Sequence, residues 1–202
     1  MGHLRRSSML AAAALAVVTA VGLATPAQAA NVIALNFNNV TGTIFLAKPN
    51  VTATVPTSVI NSQLDLDTGA LTGQAHIPDT TVHLSLAGVF GVTSVVRMIP
   101  AGDLTGTVNL TAGTLSTTTR FTIQVLNVHL DLTPAINLVP SSCRTSSVST
   151  ATLVNTTPID LINGTTVSGT FTIPSFTRCG ALTPLLTLLL SAPNNRLTLI
   201  LK

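Results

Sequence analysis

The chain reads as an all-β domain, an antiparallel β-sandwich or partly closed β-barrel of about 9 to 12 strands built from repeated hairpins and held by one disulfide. Three observations lead there. A short phrase returns with variations at Val40-Thr41-Gly42, Leu71-Thr72-Gly73, Leu104-Thr105-Gly106 and Val167-Ser168-Gly169, its starts separated by 31, 33 and 63 residues, with the slot near 136 empty. Around each copy apolar residues fall at every second position, which lays them on one face of an extended chain. Finally, Thr and Ser abound, and all six acids are Asp with no Glu. Few strong helix formers and many β-branched residues favour strands.

Residues 1–30 read as a secretory signal peptide. Arg5 and Arg6 precede an apolar run over 9–24, and Pro26-Ala27-Gln28-Ala29-Ala30 supplies small residues for cleavage near Ala29-Ala30 or Ala30-Asn31. Ser7-Ser8 follows the arginines where a twin-arginine signal wants a bulky apolar residue, so the ordinary route fits better. The apolar run is short of the roughly 20 residues that span a bilayer, and no later segment replaces it. The expected mature chain, 31–202, is a single all-β domain, secreted or cell-envelope associated, with no transmembrane segment.

Residues 31–46 open it as a strand pair or one bent strand, broken by Lys48-Pro49-Asn50. A strand over 51–55 ends at Pro56. Residues 63–67 and 70–77 form a hairpin about Thr68-Gly69. Val82, Leu84 and Leu86 share one face of the next strand, with His83 and Ser85 opposite. A strand over 92–99 turns at Pro100-Ala101-Gly102-Asp103 into a second hairpin, 104–110 with 114–132. Phe121, Ile123 and Val125 alternate on one face there, and Leu126, Val128 and Leu130 hold the other parity. The switch at Val125-Leu126 marks a β-bulge.

A third hairpin is expected from 159–162 and 165–173 about Asn163-Gly164, the dipeptide that best suits a two-residue turn. The only two cysteines, Cys143 and Cys179, read as a disulfide in an exported chain. Closing that loop contributes roughly 3 to 4 kcal/mol on the chain-entropy account. Thr183 ahead of Pro184 suits the start of two turns of helix, and so short an apolar run is equally consistent with a buried strand. Pro193-Asn194-Asn195 then turns the chain into a last strand, 197–201, packed into the sheet.

The ending Ile173-Pro174-Ser175-Phe176-Thr177-Arg178-Cys179-Gly180-Ala181-Leu182-Thr183-Pro184, the later Ala192-Pro193-Asn194-Asn195, the alanine-rich signal and the size carry a likeness. They resemble uncharacterised small secreted β-rich proteins of high-GC Gram-positive (actinobacterial) type, mainly over residues 140–202. The resemblance implies location and general build, and carries no catalytic motif across.

Removing the signal leaves seven bases against six acids, with no basic cluster and neither Trp nor Tyr to stack on bases or sugars. Nucleic-acid binding has no physical footing. No Gly-x-Ser-x-Gly elbow marks a nucleophile, and the scattered Asp residues offer no carboxylate pair, so no catalytic residue is assigned and a non-enzymatic role is expected. His83 and His129 could converge with Asp65 or Asp131 on a metal, but their alternation places both opposite the apolar face, which reads as solvent-exposed His; no metal or cofactor is expected. Asp65 and Asp67 share a strand face and read as solvated.

Forty-six per cent hydrophobic residues against seven per cent charged is apolar for a soluble domain. The excess fills a thick core, lines a barrel for a lipid-like ligand, or forms an exposed patch. The leading expectation is a secreted or envelope binding protein whose partner is an apolar small molecule or a cell-envelope component. Its pocket would be sought at Phe90, Phe121, Phe171 and Phe176. The alternative is a structural or adhesive surface protein associating through apolar patches or β-edges. A carrier implies a cavity of several hundred cubic ångströms on the scale of known small-molecule pockets, and a structural module implies a filled core with an apolar exterior.

Overall fold

Period-two alternation governs nearly every segment of the chain, and the computed structural model, which describes residues 31–86, 90–160 and 163–202, turns it into strands with one buried face. In order these are β1 (Val32–Leu46), β2 (Val51–Asp65), β3 (Ala70–His76), β4 (Thr80–Leu86), β5 (Phe90–Pro100), β6 (Leu104–Asn109), β7 (Thr114–Leu130), β8 (Arg144–Thr145), β9 (Ser149–Asn155), β10 (Thr165–Ile173), β11 (Phe176–Thr177) and β12 (Ala192–Leu201). One helix, α1 (Thr183–Leu190), precedes β12. All pairings are antiparallel.

Eight strands close on themselves in the order β1, β2, β3, β6, β7, β9, β10, β12 and back to β1. The fold is therefore a closed β-barrel with additional strands. The second half of β7 runs beyond the barrel and carries the β4–β5 hairpin on one side and the short strands β8 and β11 on the other. Residues 143 and 179 form the expected disulfide, both cysteines fully buried, which ties the β7–β8 connection to the start of α1. Thr183-Pro184 does begin a helix, and Leu186 and Leu190 are its buried residues.

The repeated phrase supplies the barrel's corners. Gly42, Gly73, Gly106 and Gly169 each share the inward parity of the buried residue two positions earlier, namely Val40, Leu71, Leu104 and Val167. Across the ladder each faces an inward, buried leucine: Gly42 opposite Leu199, Gly73 opposite Leu104, Gly106 opposite Leu71 and Gly169 opposite Leu197. Here neighbouring strands come so close that a Cβ on Gly169 would stand 1.9 Å from the Thr152 carbonyl oxygen, and one on Gly42 would stand 2.0 Å from that of Thr198. Only hydrogen fits at such a bend.

The bulge expected at Val125-Leu126 is present: the β5–β7 register shifts between Val95 and Val96, leaving Leu126 as the extra residue. Two expectations are corrected. The strand expected to stop at Pro56 continues to Asp65 as β2, because the β1–β2 register shifts opposite Pro56, where no ladder N–H is needed. The hairpin expected from 159–162 and 165–173 falls partly on residues 161 and 162, which lie outside the described residues; beside them Asp160 Oδ1 accepts from the Asn163 N–H at 2.8 Å, and β10 pairs with β9 and β12. Residues 193–195 form an irregularity inside β12 rather than a turn before it. There the fully buried Asn195 accepts from the Ala47 N–H at 3.0 Å and donates to the Ala192 carbonyl at 2.7 Å.

The corner account is testable by one added methyl group. Gly169→Ala is expected to destabilise the oxidised protein by more than about 2 kcal/mol in urea unfolding, because backbone must move to admit the Cβ. Thr170→Ala, on the exposed neighbour, should stay within about 0.5 kcal/mol. Equal midpoints for the two variants would contradict the account.

Candidate functional site

The barrel encloses an apolar chamber of about 70 Å³. Inward residues of β2, β3, β6, β9 and β12 line it, among them Leu64, Leu71, Leu104, Leu153 and Leu199. Its few polar groups are mostly satisfied by the backbone. The Ser62 hydroxyl donates to the Leu35 carbonyl, and the Thr165 hydroxyl donates to that of Asp160 at 3.2 Å.

At one end the chamber is open. β12 pairs with β1 only from Thr41 onward, the last contact of that seam being the Asn39 N–H donating to the Lys202 carbonyl at 3.1 Å. Beyond it, β1 is paired with β2 alone among the described residues. By register Ile33, Leu35 and Phe37 face inward there, opposite Leu64, Ser62 and Ile60, yet Ile33 is exposed and the other two are only half-buried. Leu110, which lines the chamber and is 57% exposed, stands on the rim at the same end. The opening is thus walled by apolar side chains.

A second chamber, about 50 Å³, lies between the β4–β5 hairpin and residues of β1, β2, β10 and α1. Met98 lines both chambers. Phe121 faces the first and Phe171 the second, and their rings meet edge to face with centroids 5.5 Å apart. Ser94 also lines the second chamber. It is 3% exposed, and its Oγ has no hydrogen-bond partner among the described residues. An unpartnered buried hydroxyl costs on the order of 1 to 3 kcal/mol.

Of the four phenylalanines singled out from the sequence, Phe121 lines the barrel chamber and Phe171 and Phe176 line the second one. Phe90 begins β5, and its side chain lies outside the described residues. Sequence reasoning missed Met98, Ser94 and the half-open stretch of β1. A signal for Ser94 existed: it occupies an inward position of an alternating strand between Val92 and Val96, where an apolar residue is the norm.

His83 and His129 do fall on one solvent-facing row, since each pairs across the ladder with Thr93. Thr93 separates them. Its hydroxyl donates to Asp131 Oδ1 at 2.8 Å and lies 2.9 Å from His83 Nδ1, which therefore serves as the donor toward it. A hydroxyl whose proton is held by a carboxylate is arranged opposite to a triad nucleophile, which gives its proton to the imidazole. Among the described residues no group of three or more His, Cys, Asp or Glu is gathered to hold a metal ion. Asp65 is committed to its turn: its Oδ1 accepts from the N–H groups of Asp67 and Thr68, which holds its carboxyl below the usual carboxylate range.

Set against protein-family models, curated proteins and solved structures, the chain matches none. The site is therefore read from its own geometry.

One surface contact fastens the hairpin over the second chamber. Arg97 on β5 meets Asp79, between β3 and β4, through two bonds of 2.7 and 2.8 Å. The Arg97 hydrogen bond holds the Asp79 carboxyl below its ordinary pKa. Because its folded pKa lies below its unfolded one, the contact adds stability above the unfolded value, near pH 4, and loses it as pH falls through the folded value. Asp79→Asn should therefore shrink the fall in Tm between about pH 4 and pH 2 and leave the slope above about pH 6 unchanged. An unchanged acid limb in thermal scans would contradict this role.

Proposed function

We propose that this chain is a non-enzymatic binding protein, secreted or associated with the cell envelope, that takes a slender apolar ligand into the barrel through the seam between β1 and β12. The observation that carries the reading is an enclosed chamber whose wall is almost wholly apolar and whose open end is walled by Ile33, Leu35, Phe37 and Leu110. An apolar ligand gains free energy there in proportion to the surface it removes from water, and no charged side chain on the wall competes. The chamber is smaller than the several hundred cubic ångströms expected of a lipid carrier, which narrows the ligand to a single unbranched chain.

The outer face supports the same reading. Outward positions on the barrel strands are dominated by hydroxyl and amide side chains, as at Thr52, Thr54, Asn61, Gln63, Thr105 and Thr107. That is the reverse of a membrane barrel, which presents its apolar band outward. No described helix is long and apolar enough to cross a membrane. Export fits the sequence character of residues 1–30 and a buried disulfide, a bond that persists in oxidising compartments. The structural or adhesive alternative is favoured by one feature, the β1 edge over 32–38, which is unpaired among the described residues and so offers a place for strand addition.

The test titrates the protein with n-octane, a neutral unbranched apolar chain, and follows the methyl signals of Leu71 and Leu104. Saturable binding with one site per chain is expected. Leu35→Asp, which sets a charge in the half-open wall, should weaken it by about tenfold or more with the fold retained. Absence of saturable binding by the wild-type protein, or unchanged affinity in Leu35→Asp, would overturn the reading.

A further inference from the structure

The two chambers treat their hydroxyls differently. In the barrel chamber Ser62 and Thr165 give their protons to backbone carbonyls. In the second chamber the Ser94 hydroxyl is buried and unpartnered, and the surrounding wall is aliphatic and aromatic, as at Leu84, Ile123 and Phe176. Ser149 Oγ is likewise buried without a partner among the described residues but lines neither chamber, so Ser94 is the one of the two whose hydroxyl a guest in the second chamber can reach. Met98 and the Phe121–Phe171 ring pair stand between the chambers. Met98 belongs to both walls, and its unbranched thioether side chain swings through three rotatable bonds.

Resting on the apolar-ligand reading, we propose that the two chambers form one bipartite site for a slender amphiphile with a neutral hydrogen-bonding terminus, of the class of primary alcohols or ketones. The chain lies in the barrel chamber, and the polar end passes Met98 to meet Ser94 Oγ. Neutrality follows from the wall: no charged residue lines either chamber, so a buried carboxylate or ammonium would lack a counter-charge. Slenderness follows from volume: even together the chambers, at about 70 and 50 Å³, stay below the roughly 150 Å³ of a cavity that admits benzene, so the guest is an unbranched chain that displaces the Met98 side chain and trails into the half-open seam between β1 and β12.

The experiment titrates the oxidised protein and its Ser94→Ala variant with 1-octanol, octanoate and n-octane at neutral pH, followed by methyl NMR. Ser94→Ala removes one oxygen and adds no bulk, so the fold is retained. The proposal expects 1-octanol to shift methyl signals of both Leu71 and Ile123, with contacts from its C1 protons to the Ile123 methyls. It expects Ser94→Ala to weaken 1-octanol by about fivefold to tenfold while changing n-octane by less than about twofold. Octanoate should bind at least about tenfold more weakly than 1-octanol. If 1-octanol binds both proteins equally and shifts only barrel-chamber methyls, the bipartite site is overturned while the apolar-ligand reading stands. If none of the three compounds binds, both fall together.

Discussion

Closure of the barrel depends on a size alternation at four corners, where an inward glycine on one strand lies across from an inward leucine on the next. A strand can coil tightly enough to complete an eight-membered ring only if something yields on the concave side, and here the side chain itself is absent. Gly73 and Gly106 show the economy of the arrangement. Each belongs to one copy of the repeated phrase and pairs across the ladder with the leucine of the other copy, and on its other side the next strand closes in: a Cβ on Gly73 would stand 2.5 Å from the Asn61 carbonyl oxygen of β2, and one on Gly106 2.3 Å from that of Ser116 on β7. On the far side β12 presents Leu197 and Leu199 to Gly169 and Gly42, and so joins the C-terminal strand to both β10 and β1.

The apolar composition follows from that ring. Inward residues from eight strands converge on one interior, and the strand surfaces facing water are covered by threonine, asparagine and glutamine rather than by charge. The same interior continues past Phe121 and Phe171 into the space under the β4–β5 hairpin, which the second half of β7 carries outward. Two fasteners hold that outer part: the disulfide at the base of α1, and the Arg97–Asp79 pair at the hairpin's near end. What remains unfilled is two small chambers with a flexible methionine between them, and an opening where β1 outlasts its partner β12.

Local features were legible in the sequence. The Thr68-Gly69 hairpin, the parity switch at Val125-Leu126, the paired cysteines and the inward alternation of Val82 and Leu84 each rest on neighbouring residues, and each is present. Misreadings arose where a local signal was answered by something distant. Asn194 and Asn195 resemble a turn, but Asn195 is drawn into the interior by the Ala47 N–H, 148 residues away. Closure was not legible for the same reason, because it rests on β1 pairing with β12 at the opposite end of the described chain. At the site, three of the four aromatic candidates do line a chamber. The residues that give the chambers their character, Ser94, Met98 and Leu35, become informative only once strand register sets them around one space.

Native mass spectrometry of the protein, purified without detergent and followed by solvent extraction, tests the central claim most directly. The account predicts a monomer carrying a substoichiometric to stoichiometric population of a single neutral apolar molecule, released on extraction. A clean apo mass that stays unchanged after incubation with a neutral lipid extract, or a ladder of oligomers with no small molecule, would contradict it.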